Sequence, residues 1–289
     1  MSIAQPSGSE RMFAIYGCFP GYQFHDAAVY EILPTKESEA GASPYELRTV
    51  FPLPFAHRIC FATRNGTEYL ISANLALTKK GADDWTEPGT VYAAPIPESP
   101  DGQWKPEPIL RDLHKNHCMY SGSLHGRRVL MVGGQEGLFS FDLDAAGDGW
   151  NAERILDHEI SEVVAIDLDG DGIDELVTIE PFHGSRLFVY RATDNGWMRV
   201  SEYPLQYGHG VFGGTIAGKT ALVVGNRAGN KNLEILVPTG GSDLTLSGHV
   251  VAEGVGSANV ALMEHAGATW IVATNQADSE VTAYRIDDL

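Results

Sequence analysis

The sequence predicts an all-β chain: a β-propeller of five blades with an extra N-terminal hairpin, or, as the alternative, six blades of which one is incomplete. Three observations lead there. Apolar runs of four to eight residues, rich in Val, Ile, Leu, Phe and Tyr, alternate with Gly, Asn, Asp or Pro. The runs group in fours, and the groups start at 57, 117, 162, 209 and 259. Those intervals suit the four-stranded unit of a propeller. No stretch sustains a 3.6-residue period, so helix is expected to be nearly absent.

The runs follow in order. HRICFAT (57–63), EYLISANL (68–75), TVYAAPI (90–96) and PEPIL (106–110) form the first group, with the segment 76–89 inserted between its second and third runs. HCMYSGS (117–123), RVLMVGG (128–134), GLFSFDL (137–143) and AERIL (152–156) form the second. EVVAIDL (162–168), ELVTIE (175–180), RLFVYRA (186–192) and MRVSEYPL (198–205) form the third. HGVFGGTI (209–216), ALVVGN (221–226), LEILVP (233–238) and GHVVAEG (248–254) form the fourth. NVALMEH (259–265), WIVATNQ (270–276) and VTAYRI (281–286) leave the fifth one strand short. ELRTVFP (46–52) is expected to supply that strand as a latch, because an open edge invites aggregation. The hairpin MFAIYGC (12–18) and AAVYEIL (27–33) is left over, residues 1–10 read as disordered, and 11–289 read as one domain.

Composition narrows the function. With 20 Lys and Arg against 38 Asp and Glu, the net charge is −18. Such a surface repels nucleic-acid phosphates and anionic lipid, so neither is expected as a partner. No apolar run reaches the roughly 18 residues of a membrane helix. The first residues lack a signal-peptide pattern, and three cysteines without a CxxC argue against a disulfide framework; both point to the cytoplasm. Cys60 and Cys118 lie inside apolar runs and read as buried and inert. The oligomeric state stays open.

In a propeller the first strand of each blade enters at the channel mouth. Aligning the five entries brings His57, His117, Glu162, His209 and Asn259 into one register. Imidazoles with a carboxylate suit a divalent transition metal, Zn²⁺, Mn²⁺ or Fe²⁺, held by His57, His117, Glu162 and His209. The ends of the second strands place Asn74, Gln135, Glu180, Asn226, Arg227 and Asn275 on the same rim. With Asn259, the amides and Arg227 are candidates to bind an oxygen-rich small molecule. The competing reading is that these amides only satisfy turn backbone. His114, Tyr207 and Glu180 are the candidate acids and bases, with Tyr120 and His183 nearby.

The segment from Asp167 to Glu175, DLDGDGIDE, is the strongest local motif. Carboxylates at alternate positions wrap a turn that Gly170 and Gly172 permit, and such hard oxygens favour Ca²⁺. Strands on both sides exclude an EF-hand. Over 162–191 the chain resembles the FG-GAP/VCBS propeller repeat, whose blades carry D-x-D-G-D-G-x-x-D between their first two strands. Glu175 stands where that family has Asp, and one unit alone has the loop. The resemblance implies a propeller and a structural Ca²⁺ on Asp167, Asp169, Asp171, Ile173 and Glu175. More weakly, Tyr207-Gly-His-Gly210 at a strand entry is similar to the propeller part of aldos-2-ulose dehydratase, which would imply metal-assisted dehydration or isomerisation of a keto sugar.

The first functional expectation is therefore a metal-dependent lyase, isomerase or cyclase acting on a small sugar-like or keto substrate. The alternative is a non-catalytic binding propeller, either a lectin or a protein-docking module, with Trp85, Trp104 and Trp150 as candidate docking aromatics. The divergence between blades counts against a lectin.

Overall fold

The computed structural model describes residues 2–17, 24–35, 43–99, 102–240 and 244–289. No α-helix occurs among them. Cys18 lies outside the described residues. The strands form six antiparallel sheets that follow one another along the chain. The first sheet holds β1 (Ile3–Ala4), β2 (Met12–Tyr16), β3 (Ala28–Pro34) and β4 (Tyr45–Pro52); the second holds β5 (Ala56–Arg64), β6 (Thr67–Asn74), β7 (Gly89–Pro95) and β8 (Glu107–Leu113). The third comprises β9 (Cys118–Leu124), β10 (Arg127–Gly134), β11 (Gly137–Asp142) and β12 (Ala152–Leu156). The fourth comprises β13 (Glu162–Ile166), β14 (Glu175–Glu180), β15 (Arg186–Thr193) and β16 (Gly196–Pro204). The fifth runs β17 (Gly208–Ile216), β18 (Lys219–Asn226), β19 (Leu233–Pro238) and β20 (Leu246–Ala252). The sixth has three strands, β21 (Ser257–His265), β22 (Ala268–Asn275) and β23 (Glu280–Ile286).

Six blades, not five, are thus present, as the alternative count had it. Two features of the first sheet explain the difference. The segment expected as a latch is β4, and it pairs with β3 through Phe51↔Val29 and Thr49↔Tyr30. The stretch expected to be disordered supplies β1, which pairs Ile3 with Ala14. The N-terminal hairpin is therefore the middle of a four-stranded blade. The segment 76–88 between β6 and β7 closes on itself through an Ala76–Pro88 bridge.

The burial pattern follows from strand position. Second strands are mostly buried on both faces: all six residues of β14 are buried, its two glutamates included, although β22 alternates. Fourth strands have an exposed edge, as in β16. Core side chains come from successive sheets. Phe13, Ile15 and Val29 of the first sheet pack with Ile59, Leu70 and Ala94 of the second. Ile71, Val91 and Ala93 of the second pack with Leu130, Val132 and Phe141 of the third. Val223 and Ile235 of the fifth pack with Ile271 and Ala273 of the sixth.

Those cores also engage the tryptophans proposed for docking. Trp104 sits edge-on to Phe13 at 5.6 Å, and Trp150 edge-on to Tyr69 and Phe141 at 5.4 and 5.8 Å. The Lys79 ammonium lies over the Trp85 ring, 3.0 Å from its centroid. All three are half-buried and make intramolecular contacts, which corrects the reading of them as an exposed docking set.

The chain divides into two compact units, residues 1–121 with 127–154, and residues 122–126 with 155–289.

Candidate functional site

A repeated backbone device governs the strand entries. Phe55, Lys115, Tyr207 and Gly256 are left-handed, with φ of 57°, 52°, 61° and 62°. Two residues later come His57, His117, His209 and Ala258. In β5, β17 and β21 the register slips at that point, between Ala56 and Arg58, Gly208 and Gly210, and Ser257 and Asn259. A bulge of this kind re-aims the side chain it carries. His57 and His209 therefore hold one structural position, and His117 shares with them the left-handed residue two places earlier. The same register corrects two members of the aligned set. Asn259 lies one step beyond Ala258, and Glu162, opposite Ile179, shares its step with Arg58 and Gly210.

In the first unit, the His57 and His117 rings stand 4.4 Å apart. Arg58 donates from Nε to the His117 carbonyl at 2.7 Å, and its Nη2 lies 3.3 Å from His117 Nδ1. Next to His117, Asn116 is fully buried, and neither of its side-chain polar atoms meets a partner among the described residues. Burying an amide that way costs about 1–3 kcal/mol, and such orphans are typically satisfied by solvent or an ion. The imidazole pair beside that amide is a donor set fit for a borderline cation, and Arg58 is the feature that opposes one.

His114, in the same loop, is gripped by Glu136. The carboxylate accepts from the His114 backbone N–H at 2.8 Å and from ring Nδ1 at 2.6 Å. Gln135 N–H donates to the His114 carbonyl at 2.8 Å, while its own side chain is exposed. Gly134 makes this approach feasible, since a Cβ there would stand 2.4 Å from the His114 carbonyl oxygen. Glu136 was missed by the sequence reading, because its neighbour in the fold comes from 22 positions upstream.

In the second unit, His209 Nδ1 donates to the Ala258 carbonyl at 2.6 Å. That bond sets the Nδ1–H tautomer, a support that metal-binding histidines commonly have. His183 stacks on His209 at 4.8 Å and lies 4.7 Å from the ring of Tyr207. Tyr207 is exposed, with the Arg227 guanidinium 5.6 Å from its ring centroid.

Four rim candidates play a different part. Asn74 accepts from Thr90 N–H at 2.7 Å, and Asn226 from Gln206 N–H at 2.7 Å. Asn275 accepts from Ser257 Oγ at 2.8 Å and donates to Tyr284 Oη at 2.7 Å. All three are buried, so the turn-satisfying reading holds and the substrate-binding one is corrected. Glu180 occupies the same register position as these asparagines. It accepts from Thr178 Oγ1 at 2.6 Å and Tyr190 Oη at 2.8 Å, and pairs with His158 at 3.1 Å and Arg199 at 3.5 Å. A carboxylate so fully engaged is a buried hub and not a free base. Burial, reinforced by the Glu180 charge, pushes the Tyr190 phenol well above its usual range. Cys118 is buried, and burial pushes the Cys60 thiol up to about 12, so neither is poised as a nucleophile.

The acidic loop belongs wholly to the second unit. Carboxylate oxygens of Asp167, Asp169 and Glu175 lie within 4.8 Å of one another. Asp167 accepts from the N–H groups of Gly170, Asp171 and Gly172 at 2.8, 3.1 and 2.9 Å. Asp171 accepts from Ile173 N–H and Glu175 from Leu168 N–H. Asp174 is turned away, accepting from His125 N–H at 2.6 Å. Sequence reasoning missed Arg191, which ion-pairs with both Asp169 and Glu175. Burial raises the Glu175 carboxyl, with the Leu168 N–H and Arg191 opposing incompletely. The oxygens suit a hard cation, but a guanidinium already bridges two of the five ligands expected for one.

No family model matches the sequence, and no curated protein is significantly similar to it. Solved structures do match. A protein from Bacteroides fragilis NCTC 9343, provisionally named a 6-phosphogluconolactonase, aligns over 99% of this chain and 84% of its own, with TM-score 0.57 and 13% identity. One with the same provisional name from Bacteroides uniformis ATCC 8492 aligns over 99% and 85%, with TM-score 0.59 and 13% identity. Sqt1 of Chaetomium thermophilum aligns over 98% and 68%, with TM-score 0.52 and 14% identity. The chain has a six-bladed β-propeller fold. At such identities the likeness carries the architecture alone, and the FG-GAP/VCBS resemblance has no matching family model behind it.

Proposed function

We propose that this propeller is a metal-assisted enzyme of lyase, isomerase or cyclase type, acting on a small, oxygen-rich, sugar-like or keto substrate. His57, His117 and His209 would hold a divalent transition metal, with Glu162 as the carboxylate nearest their register. The observation that carries the proposal is the left-handed residue two positions before each of the three histidines, followed by a bulge at His57 and at His209. The 4.4 Å spacing of the His57 and His117 rings and the carbonyl-fixed tautomer of His209 support it. When bound, the metal would polarise a substrate oxygen. Tyr207, with Arg227 behind its ring, and Gln135 are the remaining groups to orient such a substrate. Two fold neighbours carry the name of a sugar-lactone enzyme, which agrees with an oxygen-rich ligand class.

Elemental analysis of the full chain after reconstitution tests the reading. One transition metal per chain is expected, falling below a tenth of that in the H57A/H117A/H209A variant. A chain that takes up no metal, or equal metal without the histidines, overturns it.

We also propose Ca²⁺ at the acidic loop, on Asp167, Asp169, Asp171, Ile173 and Glu175, with Arg191 as its competitor. Calcium titration of R191Q should then show tighter binding than wild type. Absence of calcium binding in both proteins would leave Arg191 as the loop's permanent cation and refute the calcium reading.

A further inference from the structure

We infer that His114 is the proton acceptor of the proposed site and that Glu136 is its positioning residue; this rests on the enzymatic reading above. The geometry is that of an oriented imidazole base. One Glu136 oxygen takes the backbone N–H of His114 and the other takes ring Nδ1–H, so main chain and ring are fixed by the same carboxylate. A carboxylate at Nδ1 selects the Nδ1–H tautomer and leaves Nε2 with its lone pair. The His114 side chain is 27% exposed, and Nε2 has no bonded partner among the described residues.

The placement is as specific as the pairing. His114 lies on the loop entering β9, and Glu136 lies on the turn between β10 and β11, both on the side that carries the strand entries. His117 follows three residues later, so the two α-carbons are within about 10 Å by chain length alone. The backbone carbonyl of His114 is tied to Gln135, and Gly134 is the one residue type that lets the two loops meet so closely. Asn116, between the two histidines, is the fully buried amide that lacks a protein partner. The base His114, the orphaned amide of Asn116 and the candidate ligand His117 thus lie within four consecutive residues.

In the proposed step, a C–H bond next to a substrate carbonyl breaks and its electron pair stays on the substrate as an enolate. The proton forms a new bond to His114 Nε2, and the resulting imidazolium faces the Glu136 carboxylate. No oxidant or co-reactant enters, and the proton is returned to the substrate or to solvent at the end.

The test does not require the substrate or the metal. Full-length, chelator-treated protein labelled with ¹⁵N-histidine reports ring protonation directly. Wild type should show His114 with Nδ1 protonated and Nε2 bare. E136A should shift that tautomer ratio about tenfold or more toward Nε2–H, the scale of a charged hydrogen bond. E136Q keeps one acceptor oxygen and puts an amide N–H in place of the other, so it should give a ratio between those of wild type and E136A and guards against a misfolded E136A. Carbethoxylation of His114, followed by peptide mass, should slow severalfold in E136A and less in E136Q. Nε2–H in the wild type, or a ratio unmoved by E136A, overturns the assignment. Because neither readout uses metal, a failure of the metal reading leaves this result interpretable on its own.

Discussion

Replacing Glu180 separates the two roles that its position allows. As a base it would be replaceable without loss of stability; as a hub it would not. The side chain is 6% exposed, and it closes two hydrogen bonds and two ion pairs, to Thr178, Tyr190, His158 and Arg199. Removing one partner of a buried ionic group strands the others and costs roughly 3–5 kcal/mol. The stranded set here includes the Tyr190 hydroxyl and the Arg199 guanidinium, which stacks 3.6 Å from the Phe188 ring centroid. At about 2 °C per kcal/mol for a chain of this size, E180A should lower Tm by about 6–10 °C. E180Q keeps one acceptor oxygen and should lose less. Calorimetry and urea unfolding followed by tryptophan fluorescence measure this, with Trp197 of β16 as a reporter in the fourth sheet. A Tm within about 1 °C of wild type for E180A would refute the hub argument and return Glu180 to the list of candidate bases.

Four further outcomes follow from the same geometry. Replacement of Asn226 by Ala should cost about 1–3 kcal/mol in urea unfolding, because Gln206 N–H loses its acceptor, while metal content stays unchanged. Burial pushes the Glu31 carboxyl up, but Arg11 at 2.7 Å and Arg48 at 2.5 Å more than offset it and leave it below its usual range. Its contribution is therefore present above the unfolded carboxyl's pKa and lost as pH falls through the lower folded value; the stability gap between wild type and E31Q, measured across an acid titration, should close in that direction. R58Q removes a guanidinium beside His117 and should tighten metal binding about tenfold or more, read by competition with a chromophoric chelator. G134A drives a Cβ to 2.4 Å from the His114 carbonyl oxygen, so it should cost about 1–3 kcal/mol and perturb the His114 ring resonances.

Much of the fold was legible because strand signals are local. The nineteen runs read from residue 57 onward all coincide with strands β5–β23, since apolar patterning and turn residues act within a few positions. The blade count failed where the cue was weak. β1 is two residues long and has no pattern of its own, so the sequence leaves the N-terminal hairpin surplus and β4 free to act as a latch. The histidine register was legible for the same reason as the strands: the residue two before each histidine sits in a turn of fixed form. Glu162 slipped by one because β13 enters without the bulge of β5 and β17, and Asn259 because the bulged residue of β21 is Ala258.

The partners of the polar groups were the illegible part, and they decide function. Asn74, Asn226 and Asn275 look like an exposed amide rim in sequence, yet each is turned inward to a backbone or hydroxyl group. His114 looks like one histidine among ten, yet Glu136 holds both its main chain and its ring. The acidic loop reads as an ion site, yet Arg191, sixteen positions beyond Glu175, supplies a charge from inside the chain. In each case residue type gives the chemistry a side chain is capable of, and the contact that commits it comes from a neighbouring strand or turn. A buried carboxylate or amide must find a partner somewhere, so the strand that supplies the partner, rather than the motif, determines whether the group is left over for a ligand. By that criterion Glu180 is committed to Thr178, Tyr190, His158 and Arg199 and is not left over for a ligand.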